Sequence, residues 1–85
     1  MVWAQLVELT GITPTAMAEL SELGWVEPGM TASEEYIFTH RDVFRIQKLM
    51  RICKDLDLTF TGGSIIVDLL ERIEELENEI EELKR

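Results

Sequence analysis

The first 40 residues contain no lysine and no arginine, yet carry six glutamates: Glu8, Glu19, Glu22, Glu27, Glu34 and Glu35. Nucleic-acid affinity comes largely from neutralising phosphates, and this stretch has nothing to neutralise them with. Cysteine is almost missing as well. Cys53 stands alone, which excludes an intrachain disulfide and suits a reducing cytosol; set in an apolar run, it is expected to be plain core. His40 is the single histidine, and without a cysteine or second histidine nearby it makes no zinc site. There is no Ser-His-Asp set, no phosphate loop with its lysine and no isolated acid pair in an apolar setting, so neither an enzyme nor a cofactor is expected. No apolar run approaches the roughly 20 residues of a membrane span. Met1-Val2-Trp3-Ala4 lacks the charged start and long apolar stretch of a signal peptide, so the expected location is the cytoplasm.

What is present is a small folded chain. Eighty-five residues at 46% hydrophobic content can bury a core, but a thin one, and small domains commonly gain stability by associating. The net charge of −9 is uneven: −6 over residues 1–40, +4 over 41–54, −2 over 55–67 and −5 over 68–85. A basic protein surface suits such a chain better than nucleic acid does.

The apolar spacing of Trp3, Leu6, Val7 and Leu9 predicts a short first helix, stopped at Thr10-Gly11. Thr13-Pro14 starts a second, with Thr13 as cap and proline at the first position, where a missing N–H costs nothing. Met17, Leu20 and Leu23 are its expected buried stripe and Gly24 its end. Two short helices joined by a glycine turn make a helix-turn-helix. Trp25-Val26-Glu27-Pro28 reads as a strand, Gly29 to Glu35 as a polar loop and Tyr36-Ile37-Phe38 as the returning strand, which together form a wing. Thr39 caps a third helix with Asp42 near its positive end; Val43, Ile46, Leu49, Met50, Cys53 and Leu56 are its expected buried face. Gly62-Gly63 reads as a break, and Ser64 as the cap of a last helix running to the end.

That last helix carries Ile66, Leu69, Ile73, Leu76, Ile80 and Leu83 at alternating steps of three and four, a heptad seam. Burying each such side chain fully is worth roughly 1.5–3 kcal/mol, and a second copy of the helix is the simplest cover, which predicts a homodimer. The alternative is that Leu69, Ile73 and Leu76 fold back on the globule. Isoleucine at every a and leucine at every d favours a parallel pair. The expected architecture is mainly α: a winged helix-turn-helix domain over residues 1–60, with a two-stranded wing, and a coiled-coil dimerisation helix over 64–85. Arg41, Arg45 and Lys48, spaced i, i+4 and i+7, form a basic stripe on the third helix that is expected to pair with nearby acids or with the acidic last helix.

The order of elements resembles the MerR-like winged helices, and the detail points to one branch. Tyr36-Ile37-Phe38-Thr39, Asp42-Val43, Arg45-Ile46-Gln47 and Leu56-Asp57-Leu58 are similar to the middle of the chaperone-modulator family, CbpM. Ile65-Ile66-Val67-Asp68-Leu69-Leu70-Glu71-Arg72-Ile73-Glu74-Glu75-Leu76 resembles that family's C-terminal helix, and the likeness covers residues 5–83. It implies a regulator that binds the basic J domain of a DnaJ-like co-chaperone and keeps Hsp70 from engaging it. DNA-binding MerR regulators carry arginines around the second helix and wing, where this chain has Glu19, Glu22, Glu34 and Glu35. Those four, with Trp25 or Tyr36 as aromatic anchor, are the candidate partner-binding residues. MerR-like proteins dimerise through antiparallel coils, so helix orientation stays open. A dimeric MerR-like DNA-binding transcriptional regulator is the alternative function, and a homodimeric coiled-coil scaffold the third.

Overall fold

A computed structural model describes residues 1–85 and contains α1 (Trp3–Thr10), α2 (Pro14–Glu22), β1 (Gly29–Met30), β2 (Tyr36–Ile37), α3 (His40–Leu56) and α4 (Phe60–Leu83). The helix starts follow from local side-chain chemistry. Thr13 Oγ1 accepts the Ala16 N–H at 3.1 Å ahead of Pro14. Thr39 and Asp42 satisfy each other's backbone N–H at 3.1 and 2.8 Å, a reciprocal capping box. Gly11, at φ 73°, closes α1 with its N–H on the Val7 carbonyl; this left-handed geometry costs other residues about 1–2 kcal/mol.

Leu6, Ile12, Leu20, Ile46, Leu49 and Val67 are fully buried and form the centre of one core. Helices α3 and α4 pack antiparallel, α1 lies against α3 and α2 against α4. The radius of gyration is 14.7 Å, above the about 12 Å of a compact chain this long, because the end of α4 projects beyond the globule.

The helix-turn-helix, wing and long last helix are as expected, but four details differ. The first strand is Gly29–Met30, not Trp25–Pro28. Trp25 and Val26 are consecutive and both buried, so they cannot belong to a half-exposed strand, where faces alternate. Pro28 has no N–H to give a ladder, and pairing begins just after it, Gly29 opposite Ile37 and Met30 opposite Tyr36. Phe38 leaves the ladder and turns into the core against Trp3, with ring centroids 6.1 Å apart.

Second, α4 starts at Phe60, four residues before Ser64. Thr59 is its cap, accepting the Gly62 N–H at 3.1 Å, and Ser64 is a buried residue within the helix whose hydroxyl donates to the Thr61 carbonyl. Gly62-Gly63 therefore does not break the chain. A Cβ on Gly63 would lie 2.8 Å from Leu49 Cδ1 and would overlap the Cys53 sulfur, so this glycine lets α3 and α4 cross closely. Third, with Val67 fully buried in the common core, the first turns of α4 pack as part of the globule. Fourth, Leu23 and Leu56 are exposed: each sits at the end of its helix, past the last turn that another element covers.

Candidate functional site

Helix α2 and the wing enclose an open apolar groove of about 620 Å³. Pro14, Met17, Ala18 and Ser21 form one wall, Val26, Pro28 and Tyr36 the other, with Trp3 and Phe38 at the base. The α2 wall follows from helix geometry: 14, 18 and 21 recur at steps of four and three and so share one face. Their side chains are small or compact, which leaves the space open. A second hollow of about 330 Å³ continues past Trp3 and Tyr36 and is edged by Glu34 and Glu35.

The wing tip is held stiffly. Thr31 N–H donates to the Glu35 carbonyl at 2.9 Å, and Thr31 Oγ1 accepts the Glu35 N–H at 3.1 Å. Between them Glu34 sits at φ 63°, a left-handed conformation that glycine or asparagine adopts at lower cost. A glutamate kept at such a position, beside an apolar hollow, is the kind of local strain that collects at functional sites. Its carboxylate is held out on the rim.

The sequence-derived candidates separate in space. Glu34, Glu35 and Tyr36 come together at the second hollow, beside the groove, with Tyr36 55% exposed. Glu22 is exposed at the end of α2, next to Ser21 of the groove wall. Glu19 is exposed too, but at about 100° of rotation per residue it lies well round the helix from Ala18 and Ser21. Trp25 is no exposed anchor. It is 8% exposed, its indole N–H donates to Asp68 Oδ1 at 2.8 Å, and the Arg45 guanidinium lies 3.9 Å from its ring centre. Trp3, Pro14, Met17, Ala18 and Phe38 were not among the expected site residues; the repeat of small residues along α2 is the one sequence signal that hints at an open wall.

Arg45 ties that node to the last helix. Its Nε donates to Glu71 Oε1, one Nη to the Trp25 carbonyl and the other to Asp68 Oδ1, each at 2.9 Å. Arg41 reaches Glu71 only at 3.8 Å, and Lys48 forms no ion pair. The basic stripe thus splits, with Arg45 turned inward and spent on α4. Cys53 is half-buried on the inner face of α3, and burial pushes its thiol above the ordinary range, so its reactivity as a thiolate is low.

Along α4, the line Gly63, Val67 and Glu71 faces α3. Leu69, Ile73, Leu76, Ile80 and Leu83 are all exposed, and Ile66 is half-buried. At about 100° per residue this seam points away from α3, so Leu69, Ile73 and Leu76 do not fold back on the globule. No helix is long and apolar enough to cross a membrane.

Comparison with known proteins places this arrangement. The sequence profile of the MerR HTH family regulatory proteins matches residues 1–85. A chaperone modulatory protein CbpM of Pseudomonas entomophila (strain L48) is 30% identical over 67 residues, covering 79% of this chain and 66% of that protein. A chaperone modulatory protein CbpM of Pseudomonas putida (strain W619) is 26% identical over 80 residues, covering 94% of this chain and 79% of its relative. The chain belongs to the MerR helix-turn-helix family of regulatory proteins and, within it, is similar to the chaperone modulatory proteins CbpM.

Proposed function

We propose that the chain is a non-enzymatic cytoplasmic modulator that binds the basic J domain of a DnaJ-like co-chaperone in the α2–wing groove and so denies Hsp70 access to it. One observation carries the reading: the apolar groove adjoins, across Trp3 and Tyr36, a hollow edged by Glu34 and Glu35, in a 40-residue stretch without a lysine or arginine. Opposite charge would speed encounter, and the apolar floor would set residence time. The exposed seam of α4 would be covered by the same seam of a second copy, giving a homodimer with two grooves.

Titration against the J domain at low and high salt tests this. The wild type is expected to bind saturably and less tightly at high salt; Glu34→Lys with Glu35→Lys should weaken binding by about tenfold or more. Unchanged affinity in that double variant would remove the groove from the account. Glu34→Gly separates strain from function. Relief of the left-handed glutamate should leave the unfolding free energy equal or higher, by up to about 1 kcal/mol, while J-domain affinity falls. A variant that loses stability along with affinity would show that Glu34 is held for folding instead.

The family match is the observation that favours a DNA-reading alternative. Retardation of duplex DNA by a chain that ignores J domains would establish it. A dimer that binds neither would be a coiled-coil scaffold.

A further inference from the structure

The outward face of α3 carries Arg41, Phe44, Lys48 and Arg51, spaced so that they line one side of the helix. Phe44 is 68% exposed, more than any other aromatic residue in the chain; Tyr36 follows at 55%. It forms a ridge between two hollows. One, of about 280 Å³, lies between α3 and α4 and includes Arg41, Lys48, Glu74 and Glu75. The other, of about 400 Å³, is lined by Phe44, Gln47, Lys48, Arg51 and Ile52 and contains no acid. Lys48 and Arg51 make no ion pair. In a chain of net charge −9 these cations are left without internal partners around an exposed ring.

Neither the α2–wing groove nor the proposed homodimer uses this face: the groove is built from other elements, and the α4 seam points away from α3. We propose that the Phe44 ridge is a second docking surface, for a short acidic protein segment that sets an apolar side chain against Phe44 and Ile52 and its carboxylates on Lys48 and Arg51. Charge complementarity selects that occupant. The residues outside 41–54 sum to −13, and Glu74 and Glu75 fence one side of the ridge, which disfavours a long polyphosphate backbone but admits a segment of a few residues. From Arg41 to Arg51 the ridge is about 15 Å long, the reach of four or five extended residues. The protein then presents two sites of opposite preference, acidic for a basic partner and basic for an acidic one.

Fluorescence anisotropy with a labelled hexapeptide, Asp-Glu-Leu-Phe-Glu-Asp, tests this on the full chain. Saturable binding is expected that weakens with salt, and Phe44→Ala and Lys48→Glu should each reduce affinity at least fivefold. Both side chains face solvent, so circular dichroism and melting temperature should stay as in the wild type. Glu34→Lys with Glu35→Lys should leave peptide affinity intact, which keeps this site independent of the groove. The proposal is overturned by no binding at millimolar peptide or by equal affinity in Lys48→Glu. It is also overturned by tighter binding of a short single-stranded oligonucleotide than of the peptide, or by a change of oligomeric state in Lys48→Glu, which would make a second copy the occupant.

Discussion

Gly63→Val is expected to destabilise the protein strongly, whereas Gly62→Ala, one residue away, should stabilise it. At Gly63 the new Cβ would lie 2.8 Å from Leu49 Cδ1 and on top of the Cys53 sulfur. Both neighbours are on α3 at its crossing with α4, and Leu49 is fully buried, so neither can move without disturbing the core. Overpacking a well-filled site costs about 1–3 kcal/mol, and a branched side chain here pushes on two elements at once, so about 3 kcal/mol is expected. A domain this size has a total stability of only about 4–13 kcal/mol. At Gly62 a Cβ would meet just Thr59 Oγ1 at 3.4 Å, an ordinary contact. Replacing a helical glycine by alanine then gains about 0.5–1 kcal/mol. Urea denaturation of the two variants checks both signs. Equal effects would mean that the pair is a hinge and not a close crossing.

Ile73→Glu combined with Leu76→Glu should convert a dimer into a folded monomer. These side chains are 50% and 40% exposed, so their replacement leaves the core of a single chain untouched. In a paired seam each would meet its counterpart away from water, where an unpaired carboxylate is very costly. A rise of about 100-fold or more in the dimer dissociation constant is expected, equivalent to roughly 3 kcal/mol. Sedimentation velocity over a concentration series reads it directly. A wild-type chain that is monomeric at high micromolar concentration would contradict the dimer, and a double variant that stays dimeric would move the interface off the seam.

What the sequence makes legible here is what short-range chemistry decides. Thr13-Pro14 and Thr39 with Asp42 mark helix starts because cap and capped N–H are three residues apart. The acidic wing is legible because charge needs no partner to be seen, and Glu34, Glu35 and Tyr36 do meet at one edge. Long-range packing is what hides the rest. Glycine spells both a helix breaker and a close crossing, and only Leu49 and Cys53, on another helix, decide which Gly63 is. Trp25 looks like a free aromatic until Asp68, 43 residues on, takes its N–H. Arg45 looks equivalent to Lys48 until the fold sets Glu71 and Asp68 before it. The strand shift has the same origin: Trp25 and Val26 have strand-like composition, but the turn at Gly24, φ 70°, sends both into the core.

The groove between α2 and the wing is the proposed binding site for the partner. Backbone amide chemical-shift mapping of the isotopically labelled chain, titrated with unlabelled J domain, tests it most directly. The expected result is a cluster of perturbations at Ala18, Ser21, Glu34, Glu35 and Tyr36, with the outward face of α3 unmoved. Perturbations confined to α3 or to the exposed seam of α4, or none at saturating J domain, would contradict it.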